Sequence, residues 1–408
     1  MTMTEQFQFL SGLAPRFESR ELEHASALLT QELKVRGGLL SLYGEKFHYE
    51  TEFYRGMENR YSQFCEVFVQ PKLYEIVKRP VAFRFVNSTA MNAFAYASEA
   101  PDEPFDFIGI HRGAVQTLYL HLARSLCYPT IFPGVGSPAK EIGIRPLSAL
   151  RTDVLKVDEK LFLPACGIRD KFAMLLTVQV LDLYFFHEVT HLRNGHVEVY
   201  RQRKRARQLD KQLPKVLAPE EMVFYQTLEW DADSGAVAHS SRVAFLDREL
   251  ARSATTRRAD QLAAEAAMYA SNRTLLRALA YSYYMAFRLS DASGWSTETQ
   301  AASTYPLSNV RASYILNLLV QNIPFNLRGA VTRDEVAEEV YAAMADVERA
   351  CGLMRGERPD PAGALDVLSK VEEVSDWNRT LKKEWAAIRP ELERFSRTNR
   401  LPWDESPL

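Results

Sequence analysis

The chain has 408 residues, 47% of them hydrophobic and 25% charged, with a formal net charge of −2. That length and composition describe a globular protein with chain enough for one large catalytic domain and appended helices. The near-neutral balance excludes the strongly basic character of a dedicated nucleic-acid or anionic-membrane binder. Four cysteines, Cys65, Cys127, Cys166 and Cys351, lie far apart with no CxxC pair. They read as reduced, buried thiols of a cytoplasmic protein rather than as a disulfide scaffold. The opening MTMTEQFQFL lacks a basic region followed by an apolar stretch, so no secretory leader is expected.

In chain order, Leu22, Ala25, Leu28, Leu29 and Leu33 recur at helical spacing until Gly37-Gly38 breaks the pattern. Residues 56 to 80 are aromatic-rich and read as helical. From Val81 the period shortens: VAFRFVNSTAMNAFAYAS alternates, the turn segment EAPDEP follows, and FDFIGIHRG reads as a strand ending at Gly113. These strands are expected as a hairpin or as neighbours in one sheet. Residues 114 to 126 return to helical spacing. CYPTIFPGVGSPAKEIGIRP reads as a long irregular connection, of a kind that often serves as a functional loop or lid. Asp170 is a candidate cap for the next helix, whose apolar run FAMLLTVQVLDLYFF is too short to span a bilayer and reads as a buried helix. No membrane anchor is expected. Gly195 stands where that helix should stop. Pro219 with Glu220 and Glu221 marks the start of another helix. The rest is largely helical, with breaks at Ser290–Pro306, at Pro324 and around Arg355–Pro361.

Within the first of these two helices lies HEVTH: His187, Glu188, His191. Histidines four apart share one helix face, so both imidazoles can reach one metal ion, and zinc takes imidazole nitrogen readily. Glu188 lies beside the first histidine as a candidate proton shuttle. The pentapeptide alone is a weak signal; the apolar helix around it strengthens the reading. A third ligand is needed. His196 stands five residues after His191, with Gly195 at four, which is the wrong register for a metzincin third ligand. His196 is therefore read as a surface or ligand-supporting histidine. Glu229 in LEWDAD is the better candidate, with Asp233 four residues on along the same face to orient a ligand histidine. The alternative, an ordinary acidic stripe, is weakened by the small and apolar neighbours Leu228, Ala232 and Ala236.

These motifs taken together resemble the gluzincin zinc metallopeptidases of the HtpX and CAAX-prenyl-protease type. Asn92-Ala93-Phe94-Ala95 is similar to the family's NAFA strand, FIGIHRG to its glycine-ended strand, and HEVTH to its zinc helix. EWDAD is similar to ExxAD, and Pro306 with Arg311 to the family's THP-x4-R segment. The resemblance covers roughly residues 85 to 320. It implies that Glu229 is the third ligand of a Zn2+ ion and that Asp233 supports the ligands. Tyr305 stands where the family has an oxyanion-stabilising histidine. A tyrosine hydroxyl can donate the same hydrogen bond, and a packed aromatic is the equal alternative. The membrane helices of HtpX-type enzymes are missing, and the Gly113–His187 connection is longer than theirs. Soluble Lit-like phage-exclusion peptidases show a looser similarity in HEVTHLRNGH, which suggests a bacterial defence or toxin-type protease.

The fold class expected is α+β and zincin-like: mostly helical, with a small twisted sheet and an HExxH active-site helix. The expected divisions are an N-terminal helical segment at 1–80, a catalytic domain at 81–322 and a C-terminal helical appendage at 323–408. The function expected is zinc-dependent hydrolysis of peptide bonds by attack of metal-bound water, with Glu188 as the proton shuttle and Tyr305 as a candidate oxyanion donor. The partner would be a protein or peptide substrate, with no membrane. His111 and Asn92 are candidates to line the substrate cleft. Two rivals stay open: a catalytically silent metal-fold sensor, and a nucleic-acid binder using the Arg201–Arg207 run. The run lacks interleaved aromatics, so nucleic acid is disfavoured and a solvated connector between the metal-bearing helices is the simpler reading. Arg311 is expected to pair with a buried carboxylate. Oligomeric state is not encoded in any of these patterns.

Overall fold

A computed structural model of the chain describes residues 27–40, 48–77, 79–99, 104–142, 163–209, 219–253, 258–290, 308–326, 330–358 and 371–399. Most of these residues are helical, and a three-stranded mixed sheet completes an α+β protein. The chain divides into two compact units. One comprises Met1–Ala114, Glu188–Leu213 and Ile388–Leu408, the other Val115–His187 and Pro214–Ala387.

The first unit is built on β1 (Val81–Val86), β2 (Ala93–Ala97) and β3 (Asp106–His111), in the order β1-β3-β2. The alternating stretch from Val81 is thus two strands. β2 pairs antiparallel with β3 as the expected hairpin, while β1 pairs with β3 in parallel, Val81 opposite Asp106 and Val86 opposite His111. Alternation puts two apolar faces on this sheet. Leu29 and Leu33 of α1 (Ala27–Val35) pack on the face made by Val86, Tyr96 and Phe107. On the other face, α2 (His48–Phe64) sets Tyr54 and Tyr61 against Phe85 and Phe83, with ring centroids 4.9 and 4.8 Å apart. α2 widens into a π-helical segment, Cys65–Leu73, that accommodates Pro71.

β3 stops at His111, two residues short of the sequence expectation. Gly113 instead lies in the first turn of α3 (Arg112–Ser125). Its absent side chain is the reason a glycine stands there: a Cβ would sit 2.0 Å from the Thr89 carbonyl oxygen, and the Gly113 N–H donates to Ser88 O at 2.8 Å. Asp106, at the start of β3, is fully buried. It is satisfied by Arg397 at 2.8 and 3.0 Å, by Arg79 at 3.2 Å and by the Tyr74 hydroxyl at 2.8 Å.

The second unit is helical. It holds most of α3, α4 (Gly167–Arg193) as far as His187, α6 (Pro219–Ser253), α7 (Ala259–Met268), α8 (Asn272–Ser290), α9 (Ser308–Asn326), α10 (Arg333–Arg355) and most of α11 (Val371–Glu393). α8 packs against α9 and α10, and α9 also packs against α6. α10 shows how local chemistry sets an element's ends. Thr332 and Glu335 form a reciprocal capping box at its start, and Gly356, in the left-handed region at φ 69°, closes it. α9 runs through Pro324 and ends at Asn326, two residues past the expected break; a proline in the last turn removes one N–H without ending the helix.

The described part of the irregular connection, residues 127–142, is tied down rather than free as a lid. The fully buried Arg169 of α4 donates to the carbonyl of Leu126 just before this connection, at 2.8 Å, and to four within it: Tyr128 at 3.1 Å, Ile131 at 2.6 Å, and Phe132 and Val135 at 3.0 Å each. A guanidinium has five N–H donors, and these carbonyls use all of them. The four cysteines are buried and none forms a disulfide. By length and composition α4 is apolar enough to cross a membrane, and most of its apolar window is buried inside the protein.

Candidate metal centre

HEVTH lies near the C-terminal end of α4, a 27-residue helix whose start and stop are both set by side-chain and backbone chemistry. At its start Glu141 accepts from the N–H groups of Ala165 and Cys166, each at 2.9 Å, and Cys166 Sγ accepts from Ser137 N–H at 3.3 Å. Asp170, the expected cap, sits inside the first turn and accepts instead from the Tyr119 hydroxyl. At the other end Gly195 takes φ 80°, as its position after the motif predicts.

Helical periodicity turns His187 and His191 to one side of α4, and Glu229 projects from α6. One ligand atom from each of these three residues lies within 4.8 Å of the others. This donor set can hold a metal ion, with two imidazole nitrogens and one carboxylate oxygen. His187 Nε2 stands 3.4 Å from Glu229 Oε2, and His187 Nδ1 stands 2.9 Å from Asp233 Oδ1. Asp233 is held in turn by Arg311 of α9, Nε to Oδ2 at 2.8 Å and Nη2 to Oδ1 at 2.7 Å. Arg311 Nη2 also lies 3.6 Å from Glu229 Oε2.

The electrostatics test whether the residues suit a cation. Burial would depress the His187 imidazole, but hydrogen bonds and charge from Asp233 and Glu229 outweigh it and raise the group to about 10. Burial would likewise lift the Asp233 carboxyl, yet Arg311 and His187 hold it below the usual carboxylate range. The carboxylates beside His187 thus favour positive charge at its imidazole, the condition a divalent ion also meets. With Nδ1 engaged by Asp233, the His187 Nε2 lone pair is the one left to face an ion.

The other residues singled out from sequence fall as follows. Glu188 follows His187 on α4 and is buried. His196 opens α5 (His196–Leu209), with its Nδ1 3.0 Å from His191 Nδ1. His111 is buried at the end of β3 beside the Phe94 ring, its centroid 5.9 Å away. Asn92 is exposed, and its carbonyl accepts from His111 N–H at 3.0 Å. Tyr305 lies outside the described residues. The basic run between α4 and α6 is helical, with part of its charge paired: within α5, Arg201 pairs with Glu99 at 2.8 Å and donates to Ala97 O. Arg203 pairs with Glu391 at 2.7 Å and Arg205 with Glu99 at 2.5 Å. Glu99 and Glu391 thus offset the charge of these three arginines.

One feature had no local signal. The carbonyl of Arg193, at the end of α4, accepts from Arg397 N–H at 2.8 Å and from the Ser396 hydroxyl at 3.3 Å. The segment that closes the HEVTH helix lies 203 residues further along the chain, beyond the reach of any local pattern. No protein-family model, curated protein or solved structure matches the chain.

Proposed function

We propose that this protein is a zinc-dependent peptidase of gluzincin type, with a zincin-like arrangement of its two metal-bearing helices. The observation that carries the reading is the convergence of His187, His191 and Glu229, with Glu188 next to the first of them. Two histidines and a glutamate are the donor set of one class of hydrolytic zinc sites, which keep a coordination position open for substrate. Zinc, when bound, supplies Lewis acidity to the scissile carbonyl. The chain's own residues do the rest. Asp233, fixed by Arg311, orients His187. The Glu188 carboxylate takes the proton from the attacking water and returns it to the leaving amine. Tyr305 is the proposed donor to the developing oxyanion.

The test is Glu188→Gln in the full chain. Zinc measured by elemental analysis should stay at one per chain while cleavage of an unfolded protein substrate such as casein stops. Cleavage retained in the variant would overturn the role of Glu188. Stoichiometric zinc with no cleavage by the wild type, across a whole proteome of substrates, would replace the peptidase with a metal-fold sensor.

A further inference from the structure

His196 is not a metal ligand in the arrangement above, and its place is nevertheless tightly specified. It is buried, 1% exposed, at the first position of α5. Only Asn194 and Gly195 separate α5 from α4. Asn194 N–H bonds back to Thr190 O at 2.9 Å and Gly195 N–H to Leu192 O at 3.2 Å. Gly195 is left-handed, and a Cβ on it would fall 2.8 Å from the Phe395 Cβ and 3.0 Å from the Leu392 carbonyl oxygen. The turn therefore has one geometry. That geometry delivers the His196 ring to His191, Nδ1 to Nδ1 at 3.0 Å, the ring planes at 74° and centroids 5.1 Å apart.

Two imidazole nitrogens at 3.0 Å share one hydrogen, which one ring donates and the other accepts. If His191 accepted through Nδ1, its remaining proton would be on Nε2, and that nitrogen would have no lone pair for a metal. If His191 donates through Nδ1, its Nε2 carries the lone pair that a metal ligand needs. Only the second arrangement is compatible with the donor set of the metal centre.

Resting on the metal-centre reading, we propose that His196 is a positioning residue. Its Nδ1 accepts the Nδ1–H of His191, and so fixes the tautomer and ring angle with which His191 meets the metal. It does for His191 what Asp233 does for His187. The two ligand histidines of one helix are thus oriented by different chemistry, a carboxylate for the first and an imidazole for the second.

The experiment is zinc affinity of the full chain, measured by competition with a chromogenic chelator, together with the visible absorption of the cobalt-substituted protein. His196→Ala should weaken zinc binding by about 10- to 100-fold, the range seen when a partner behind a ligand is lost, and should alter the cobalt bands. His196→Asn places an amide oxygen near the Nδ1 position and should restore most of the affinity and the wild-type bands. A merely structural histidine would not be rescued by a smaller polar residue in this way. Should His196→Ala fail to fold, His196→Phe keeps the ring without an acceptor and carries the same comparison against His196→Asn. Wild-type affinity and bands in the acceptor-less variant would overturn the positioning role while leaving the metal centre intact. Absence of zinc binding by the wild type would overturn the metal centre itself, and the positioning role with it.

Discussion

Arg311 grips Asp233 with two parallel hydrogen bonds, at 2.8 and 2.7 Å, across 78 residues of sequence. Asp233 in turn stands 2.9 Å from His187 Nδ1. The guanidinium therefore acts on the metal site through a carboxylate it holds in one orientation. A bidentate pair adds geometric constraint to charge, and a lysine cannot reproduce its two-point hold.

Arg311→Leu should leave Asp233 buried beside His187 with its principal counter-charge removed. Loss of one partner of such a pair costs about 3–5 kcal/mol of stability. Affinity for the proposed zinc ion should also drop by about 10- to 100-fold, because the carboxylate behind His187 is no longer held. Urea unfolding and chelator competition measure the two effects separately. Arg311→Lys should recover part of the stability and little of the affinity. Full affinity in Arg311→Lys would show that charge alone, not orientation, is what Arg311 supplies.

A second buried pair ties the C-terminal segment to the sheet. Arg397 meets Asp106 at 2.8 and 3.0 Å and Glu198 at 2.6 Å, with the Asp106 side chain fully buried. Arg397→Met should destabilise the protein by about 3–5 kcal/mol, since it strands a carboxylate without its main partner. Adding Asp106→Asn should cost less than the sum of the single changes, because the residues share one interaction. Strict additivity in a double-mutant cycle from urea melts would refute the coupling.

Two left-handed glycines separate backbone strain from steric exclusion. Gly38 has φ 82° with nothing within 4 Å of a built Cβ, whereas Gly195 has φ 80° with Phe395 at 2.8 Å. Gly38→Ala should cost about 1–2 kcal/mol, the left-handed penalty alone. Gly195→Ala should exceed that by about 1–3 kcal/mol, the range for forced overpacking. Equal costs in thermal or urea unfolding would mean that the Gly195 turn yields freely.

His111 links stability to pH. Burial, followed by the nearby Arg36 charge, lowers its imidazole to about 4, against a partial opposing bond to the Ala90 backbone. A depressed pKa means that the folded protein binds the proton less well than the unfolded chain, whose histidine titrates near 6.5. This contribution is complete above about pH 6.5 and fades as pH falls towards 4; the implied size is about 3 kcal/mol. His111→Asn, with no group titrating in that window, should lose correspondingly less stability between pH 7 and pH 4.5. Parallel urea curves at the two pH values decide it, and identical pH dependence in both proteins would refute the assignment.

Much of the metal centre is legible locally. The four-residue spacing of His187 and His191, and that of Glu229 and Asp233, sets each pair on one helix face without reference to the rest of the chain. Gly195 marks the end of α4, because few other residues accept its φ at low cost. Alternation shows strands after Val81, and the α+β class follows. Periodicity specifies which face of an element is apolar, but not which distant element will cover it. The parallel pairing of β1 with β3 was hidden, because both partners of a hairpin and of a parallel pair show the same alternation. The ion pairs of the basic run were not legible because its counter-charges, Glu99 and Glu391, are far off in sequence. The chain by itself thus determined the ligand-bearing faces and the stop of the HEVTH helix, since helical geometry and glycine's backbone freedom act within a few residues. Tertiary structure alone decided that Arg311 holds Asp233, that Arg397 reaches Asp106 across 291 residues, and that the C-terminal segment closes the metal helix. Such pairings arise when burial must satisfy a charge or a carbonyl, and the partner is whichever donor the folded chain brings there.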